Sequence, residues 1–149
     1  GRPFDANNKY TSKYLDAPNE PLYVFGYGLS YTTFDYSPVK LSSNTMNKDG
    51  SIEATVTVRN TGDYAGEEVV QFYIQDKVAS VSRPVKELKG FEKISLEPGE
   101  QQDVTFTISS AELSFYRADM SWGTEPGSFM VFIGGNSRDT QTAEFELVD

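Results

Sequence analysis

Apolar and polar positions alternate along much of this chain. Ile52, Ala54, Val56 and Val58 are interleaved with Ser51, Glu53, Thr55, Thr57 and Arg59, the period-2 pattern of a strand with one face on a core and one in water. Val104, Phe106 and Ile108 alternate with Asp103, Thr105 and Thr107, and Ala143, Phe145 and Leu147 with Thr142, Glu144 and Glu146. Two further runs, Val69-Val70-Gln71-Phe72-Tyr73-Ile74 and Phe129-Met130-Val131-Phe132-Ile133, are almost continuously apolar. Strands of that kind sit centrally, with more of both faces covered. The pattern also predicts strands within Asp35 to Leu41 and Lys86 to Leu96.

Turn chemistry separates these runs. Asp49-Gly50 and Asn60-Thr61-Gly62-Asp63 supply residues that tolerate positive φ, and Pro98-Gly99 suits the two central positions of a type II turn. Pro126-Gly127 and Gly134-Gly135-Asn136 repeat the device. Ser109 and Glu112 have capping-box spacing, but no helical stripe follows, so one or two helical turns are expected. About seven strands with almost no helix predict an all-β, antiparallel sandwich of the immunoglobulin or fibronectin type III kind over residues 34–149.

Residues 1–33 differ. Phe4, Tyr10, Tyr14, Tyr23, Phe25, Tyr27 and Tyr31 fall among prolines and asparagines with neither a 2.0 nor a 3.6 period. Such a segment builds no core of its own, yet solvated tails are poor in large aromatics. The expectation is an extended arm that docks on something. Phe25, Tyr27, Leu29 and Tyr31 are its candidate interdomain contacts, with Gly26 and Gly28 permitting tight turns between them.

Charge sharpens the contrast. The chain carries a net −9, whereas residues 1–33 balance Arg2, Lys9 and Lys13 against Asp5, Asp16 and Glu20. The acidic excess therefore belongs to the sandwich and argues against nucleic acid or an anionic membrane surface as partner. No apolar run reaches the roughly 18 residues of a membrane span, and the start at Gly1, without a leader pattern, suggests a mature or excised chain. One stretch runs the other way. Lys77, Arg83, Lys86, Lys89 and Lys93 outnumber Asp76, Glu87 and Glu92, as an edge strand guarded by Lys and Arg83-Pro84 would require. The alternative is an electrostatic contact with an acidic neighbouring domain, which makes Arg83 a further candidate contact.

Candidate chemistry is sparse. The chain has no His and no Cys, which removes imidazole acid–base chemistry, thiol nucleophiles and the commonest metal ligands. Paired carboxylates remain possible, but the neighbours Glu67 and Glu68 should point to opposite faces of a strand. Asn47-Lys48-Asp49-Gly50 is a turn rather than a calcium loop, and Phe25-Gly26-Tyr27-Gly28 lacks the spacing of a phosphate loop. No catalytic, cofactor-binding or metal-binding residue is expected. Trp122, at a strand end near Glu125-Pro126-Gly127, is expected in the core, with sugar stacking as its role if exposed.

Several ordered motifs resemble a known family. They are P-L-Y-V-F-G-Y-G-L-S-Y-T-T (21–33), G-E-E-V-V-Q-F-Y-I-Q-D (66–76), S-R-P-V-K-E-L-K-G-F-E-K (82–93) and L-E-P-G-E (96–100). Together they resemble the C-terminal end of family 3 glycoside hydrolases, most nearly the bacterial periplasmic type of β-glucosidase. Gly1-Arg2-Pro3 looks like the end of the preceding α/β domain. The resemblance implies a fibronectin type III-like domain and its linker, attached to a retaining β-glucosidase whose Asp nucleophile and Glu acid/base lie upstream. It also implies a periplasmic or secreted location, β-glucosides or oligosaccharides as the parent's substrate, and the parent's catalytic domains as this chain's partner. Two functions stay open: a structural module that stabilises those domains, and a carbohydrate-binding module that brings polysaccharide to them.

Overall fold

The computed structural model describes residues 20–149; Gly1-Arg2-Pro3, Phe4, Tyr10 and Tyr14 lie outside that range. The elements run β1 (Phe34–Tyr36), β2 (Lys40–Leu41), β3 (Thr45–Asn47), β4 (Ser51–Asn60), β5 (Gly66–Asp76), β6 (Glu87–Leu96), β7 (Gln101–Ser109), α1 (Ser110–Leu113), β8 (Phe115–Tyr116), β9 (Trp122–Gly123), β10 (Gly127–Gly134) and β11 (Thr140–Val148). In one sheet β4 pairs with β7 on one side and with β1 and then β2 on the other. The second is five-stranded, in the order β3-β11-β10-β5-β6. The two face each other as an all-β sandwich.

Alternation places the core. Ile52, Ala54, Val56 and Val58 of β4, with Val104 and Ile108 of β7, meet Val70, Phe72 and Ile74 of β5, Phe129, Val131 and Ile133 of β10, and Phe145 and Leu147 of β11. Phe72 stacks on Phe106 across the gap, ring centroids 5.0 Å apart. The two nearly continuous apolar runs are β5 and β10, neighbours inside the five-stranded sheet, as burial on both faces demands. Ser109 caps α1, and Glu112 returns the bond to its backbone in a complete capping box.

Three features depart from the sequence reading. The strand expected over 35–41 breaks at Ser37-Pro38, where the chain bends and Ser37 Oγ, not a backbone carbonyl, accepts from Thr57 N at 2.9 Å. The sandwich is not wholly antiparallel. After β2 the chain crosses to the other sheet, and β3 becomes its edge strand, parallel to β11. The short hairpin β8–β9 was not legible, because two residues a side carry no periodic signal. At the opposite edge β6 is outermost, and the register shifts between Phe72 and Tyr73 where Lys89 is squeezed out. The bulge interrupts that edge and Lys93 stays exposed beyond it, whereas Lys89 turns in to Glu87 at 2.8 Å.

Candidate functional site

On β5 the residues in outward phase ought to be wet, yet Gln71 and Tyr73 are buried. The arm covers them. Gln71 Nε2 donates to Gly26 O at 3.1 Å and to Gly135 O at 2.6 Å, while its Oε1 accepts from the Tyr73 hydroxyl. Phe25 lies edge-on to Tyr73, ring centroids 6.4 Å apart, and its carbonyl accepts from Ser137 N at 2.9 Å. A Cβ at Gly26 would fall 1.9 Å from Gln71 Oε1, and the residue holds φ +77°. Only glycine fits at this crossing.

The seat of the arm is the β10–β11 loop, itself held from beneath. Lys86 donates to Ser137 O at 2.7 Å and Thr140 Oγ1 at 3.2 Å, and its ammonium lies 4.2 Å from the centre of the Phe132 ring. Burial pulls its pKa below the ordinary lysine value. A second latch fastens the far end of the arm. Thr32 donates to Asn60 Oδ1 at 2.6 Å, and a Cβ on Gly62 would meet Thr32 Oγ1 at 2.3 Å. Asn60, fully buried, also donates to Tyr64 O at 2.8 Å and Leu96 O at 3.0 Å.

Between and around these two latches the side chains face outward. Leu22, Tyr23, Phe25, Tyr27, Leu29 and Tyr31 are all exposed, reaching 89% at Leu29 and 98% at Tyr31. A cleft of about 750 Å³ opens between this arm and the start of β6, lined by Pro21, Val24, Phe25, Tyr73, Val85 and Leu88 among others. Next to the covered residues, Phe91 pairs with Gln71 and Leu88 with Tyr73, and both remain exposed. The arm and the outer face of β5–β6 thus expose more large apolar side chains than the isolated ones normal on a protein.

The sequence candidates separate. Phe25, Tyr27, Leu29 and Tyr31 all lie exposed along the arm. Arg83 does not, because it turns inward on the other side of the β5–β6 loop with its side chain 12% exposed, bonded to Glu87 at 2.6 Å and 4.3 Å from the Phe115 ring centre. Glu67 and Glu68 diverge as alternation requires: Glu67 meets Lys93 at 2.6 Å on the surface, and Glu68 points inward to the Tyr36 hydroxyl at 2.7 Å. Burial pushes the Glu68 carboxyl up despite that bond, and drives the Tyr36 phenol above its usual value. Trp122 overturns the expectation of a core residue. It is 60% exposed and packs edge-on to Tyr116, because the β8–β9 hairpin projects from the sandwich instead of feeding its core. Sequence reasoning passed over Gln71 and Asn60. Their signal was present: a lone amide inside an apolar strand, and an Asn in phase with the core face of β4.

An all-β sandwich with these features defines a class, and residues 68–137 match the model of the fibronectin type III-like domain family. The chain as a whole resembles part of several longer proteins. It is 54% identical over 150 residues to the periplasmic β-glucosidase of Salmonella typhimurium, covering 99% of this chain and 20% of that protein. A putative β-xylosidase of Formosa agariphila is 49% identical over 93% of this chain and 18% of its own length. Among solved structures, the β-glucosidase of Listeria innocua in complex with glucose superposes with a TM-score of 0.92 at 46% identity, covering 100% of this chain and 21% of that one. The chain thus spans about a fifth of the length of the relatives it matches.

Proposed function

We propose that the chain is the non-catalytic accessory end of a retaining β-glucosidase of glycoside hydrolase family 3. In this reading residues 1–33 are the linker and docking arm, and residues 34–149 are the sandwich that packs on the catalytic domains and stabilises them. The carrying observation is the row of exposed large side chains from Leu22 to Tyr31 on a backbone pinned at Gly26 and Thr32. A flexible tail would hide such groups by collapse or avoid them altogether. Fixing the backbone while presenting the side chains lowers the ordering cost of an interface. Phe25, Tyr27, Leu29 and Tyr31 are its anchors, and Arg83 supports it indirectly by holding the β5–β6 loop. Similarity to the periplasmic enzyme favours a periplasmic or secreted parent that cleaves β-glucosides. The β-xylosidase relative is why the sugar is left as a class.

The whole enzyme tests this. Tyr27→Ala should lower its thermal stability by the equivalent of about 3–5 kcal/mol, the cost of truncating a buried aromatic. KM for an aryl β-glucoside should stay unchanged. An unaltered melting temperature for both Tyr27→Ala and Leu29→Ala would contradict the reading.

A further inference from the structure

We propose that the β8–β9 hairpin carries a second, independent site: a shallow depression that binds a single neutral pyranose ring. Trp122 and Tyr116 stand with ring centroids 4.9 Å apart and planes 66° from parallel. They make a floor and a wall, and the outer faces of both rings stay open, since both are more than half exposed. This exposure is built, not incidental. Arg117 N donates to Ser121 O at 2.9 Å and Met120 N to Arg117 O at 3.0 Å. Asp119 Oδ1 accepts from Ser121 N at 2.9 Å and Ser121 Oγ at 2.6 Å. The Arg117 guanidinium reaches across to Thr124 O at 3.0 Å, and Phe115, in the alternate phase, is buried as the hairpin's anchor. Two aromatic rings held out on so braced a hairpin lose little freedom when a ligand lands on them.

The rings border a shallow, open depression of about 250 Å³, also lined by Ser82, Arg83, Pro84 and Glu87. That lies below the roughly 300–1,000 Å³ of drug-sized pockets and suits one ring rather than a chain of them. Its chemistry is of two kinds. The aromatic corner offers an apolar surface, and Glu87 offers a fixed acceptor, held by Arg83 at 2.6 Å and Lys89 at 2.8 Å. These bonds keep the Glu87 carboxyl below its ordinary range against the opposing effect of burial, so it is anionic at neutral pH. A pyranose matches both at once: its C–H face lies on an aromatic ring, and its hydroxyls donate charge-assisted bonds to a carboxylate. Each Glu87 oxygen already has a cationic partner, so a ligand hydroxyl would use a remaining lone pair, a bond that a purely apolar ligand could not make.

The chain contains a single tryptophan, so its intrinsic fluorescence reports Trp122 alone. Titration of the 149-residue chain with methyl β-glucoside should give a saturable change with a midpoint near 1 mM, the scale of a small single-ring ligand. Tyr116→Ala, at an exposed position, should keep the signal and weaken binding roughly fivefold to tenfold. Sorbitol, with hydroxyls but no rigid ring face, should give no saturation. The indole resonance of Trp122, followed by NMR in the same titration, should move with the same midpoint. Absence of saturation by both probes, an equal response to sorbitol, or indifference to Tyr116→Ala would each overturn the site.

Discussion

Asn60 ends the inward face of β4 with a polar side chain that is fully buried and shared by four groups. Its amide donates to Tyr64 O and Leu96 O, and its Oδ1 accepts from Thr32 Oγ1 and, at 3.1 Å, from Gly62 N. Truncation leaves Thr32 Oγ1 and Leu96 O buried without these bonds, and each such group costs about 1–3 kcal/mol. Asn60→Ala should therefore destabilise the 149-residue chain by about 3 kcal/mol or more in urea denaturation, and a loss under about 1 kcal/mol would contradict this account. Glu68 acts in the opposite sense. Its folded pKa is raised above the ordinary carboxylate value, chiefly by burial and in spite of the Tyr36 bond. A group raised on folding contributes stability below its unfolded pKa and loses it as pH rises through the folded value. At neutral pH, then, the ionised carboxylate opposes folding. Glu68→Gln keeps an acceptor for the Tyr36 hydroxyl and should raise the melting temperature at pH 7. The gain should vanish once the solution is acidified below about 4.5. A gain independent of pH would show that burial of charge is not the cause.

β5 links the sandwich to the arm, since the same strand faces the core with Val70, Phe72 and Ile74 and holds the arm with Gln71 and Tyr73. The arm sits outside the main core, so its release and global unfolding are separable events. Gln71→Leu should raise hydrogen exchange at the Ser137 amide, which bonds to Phe25 O, while leaving amides of β4 and β10 protected. Equal loss of protection in all three would mean that the arm is part of the cooperative core. Elements of this kind differ in how openly the sequence displays them. β4, β7 and β11 were legible because one wet face writes a strict alternation, and α1 because a capping box fixes two residues three apart. The roles of Gln71 and Trp122 were not. Burial of Gln71 depends on a segment about 45 residues upstream (71 − 26) laid across it, and exposure of Trp122 on a hairpin too short to show a period. Phe25, Tyr27 and Tyr31 drew notice through composition alone, as aromatics with no pattern to bury them, and Leu29 through its place among them.

The molecule as a whole has two unlike faces. Outside the β4–β7 sheet, Thr55 bonds Thr105 at 2.8 Å and Thr57 bonds Asp103 at 2.6 Å, a polar lattice suited to water. Outside the five-stranded sheet lie the arm, Leu88 and Phe91. The net −9 belongs to the sandwich, so the proposed docking through a neutral aromatic arm would bring apolar area together without stripping water from the carboxylates. In the proposed function this face meets the rest of a β-glucosidase chain. Hydroxyl-radical footprinting of Tyr23, Phe25, Tyr27, Leu29 and Tyr31, in the 149-residue chain and in the whole enzyme, tests it most directly. All five should oxidise readily in the chain alone and be strongly protected in the enzyme; equal oxidation in both would mean that this face does not meet the rest of the enzyme.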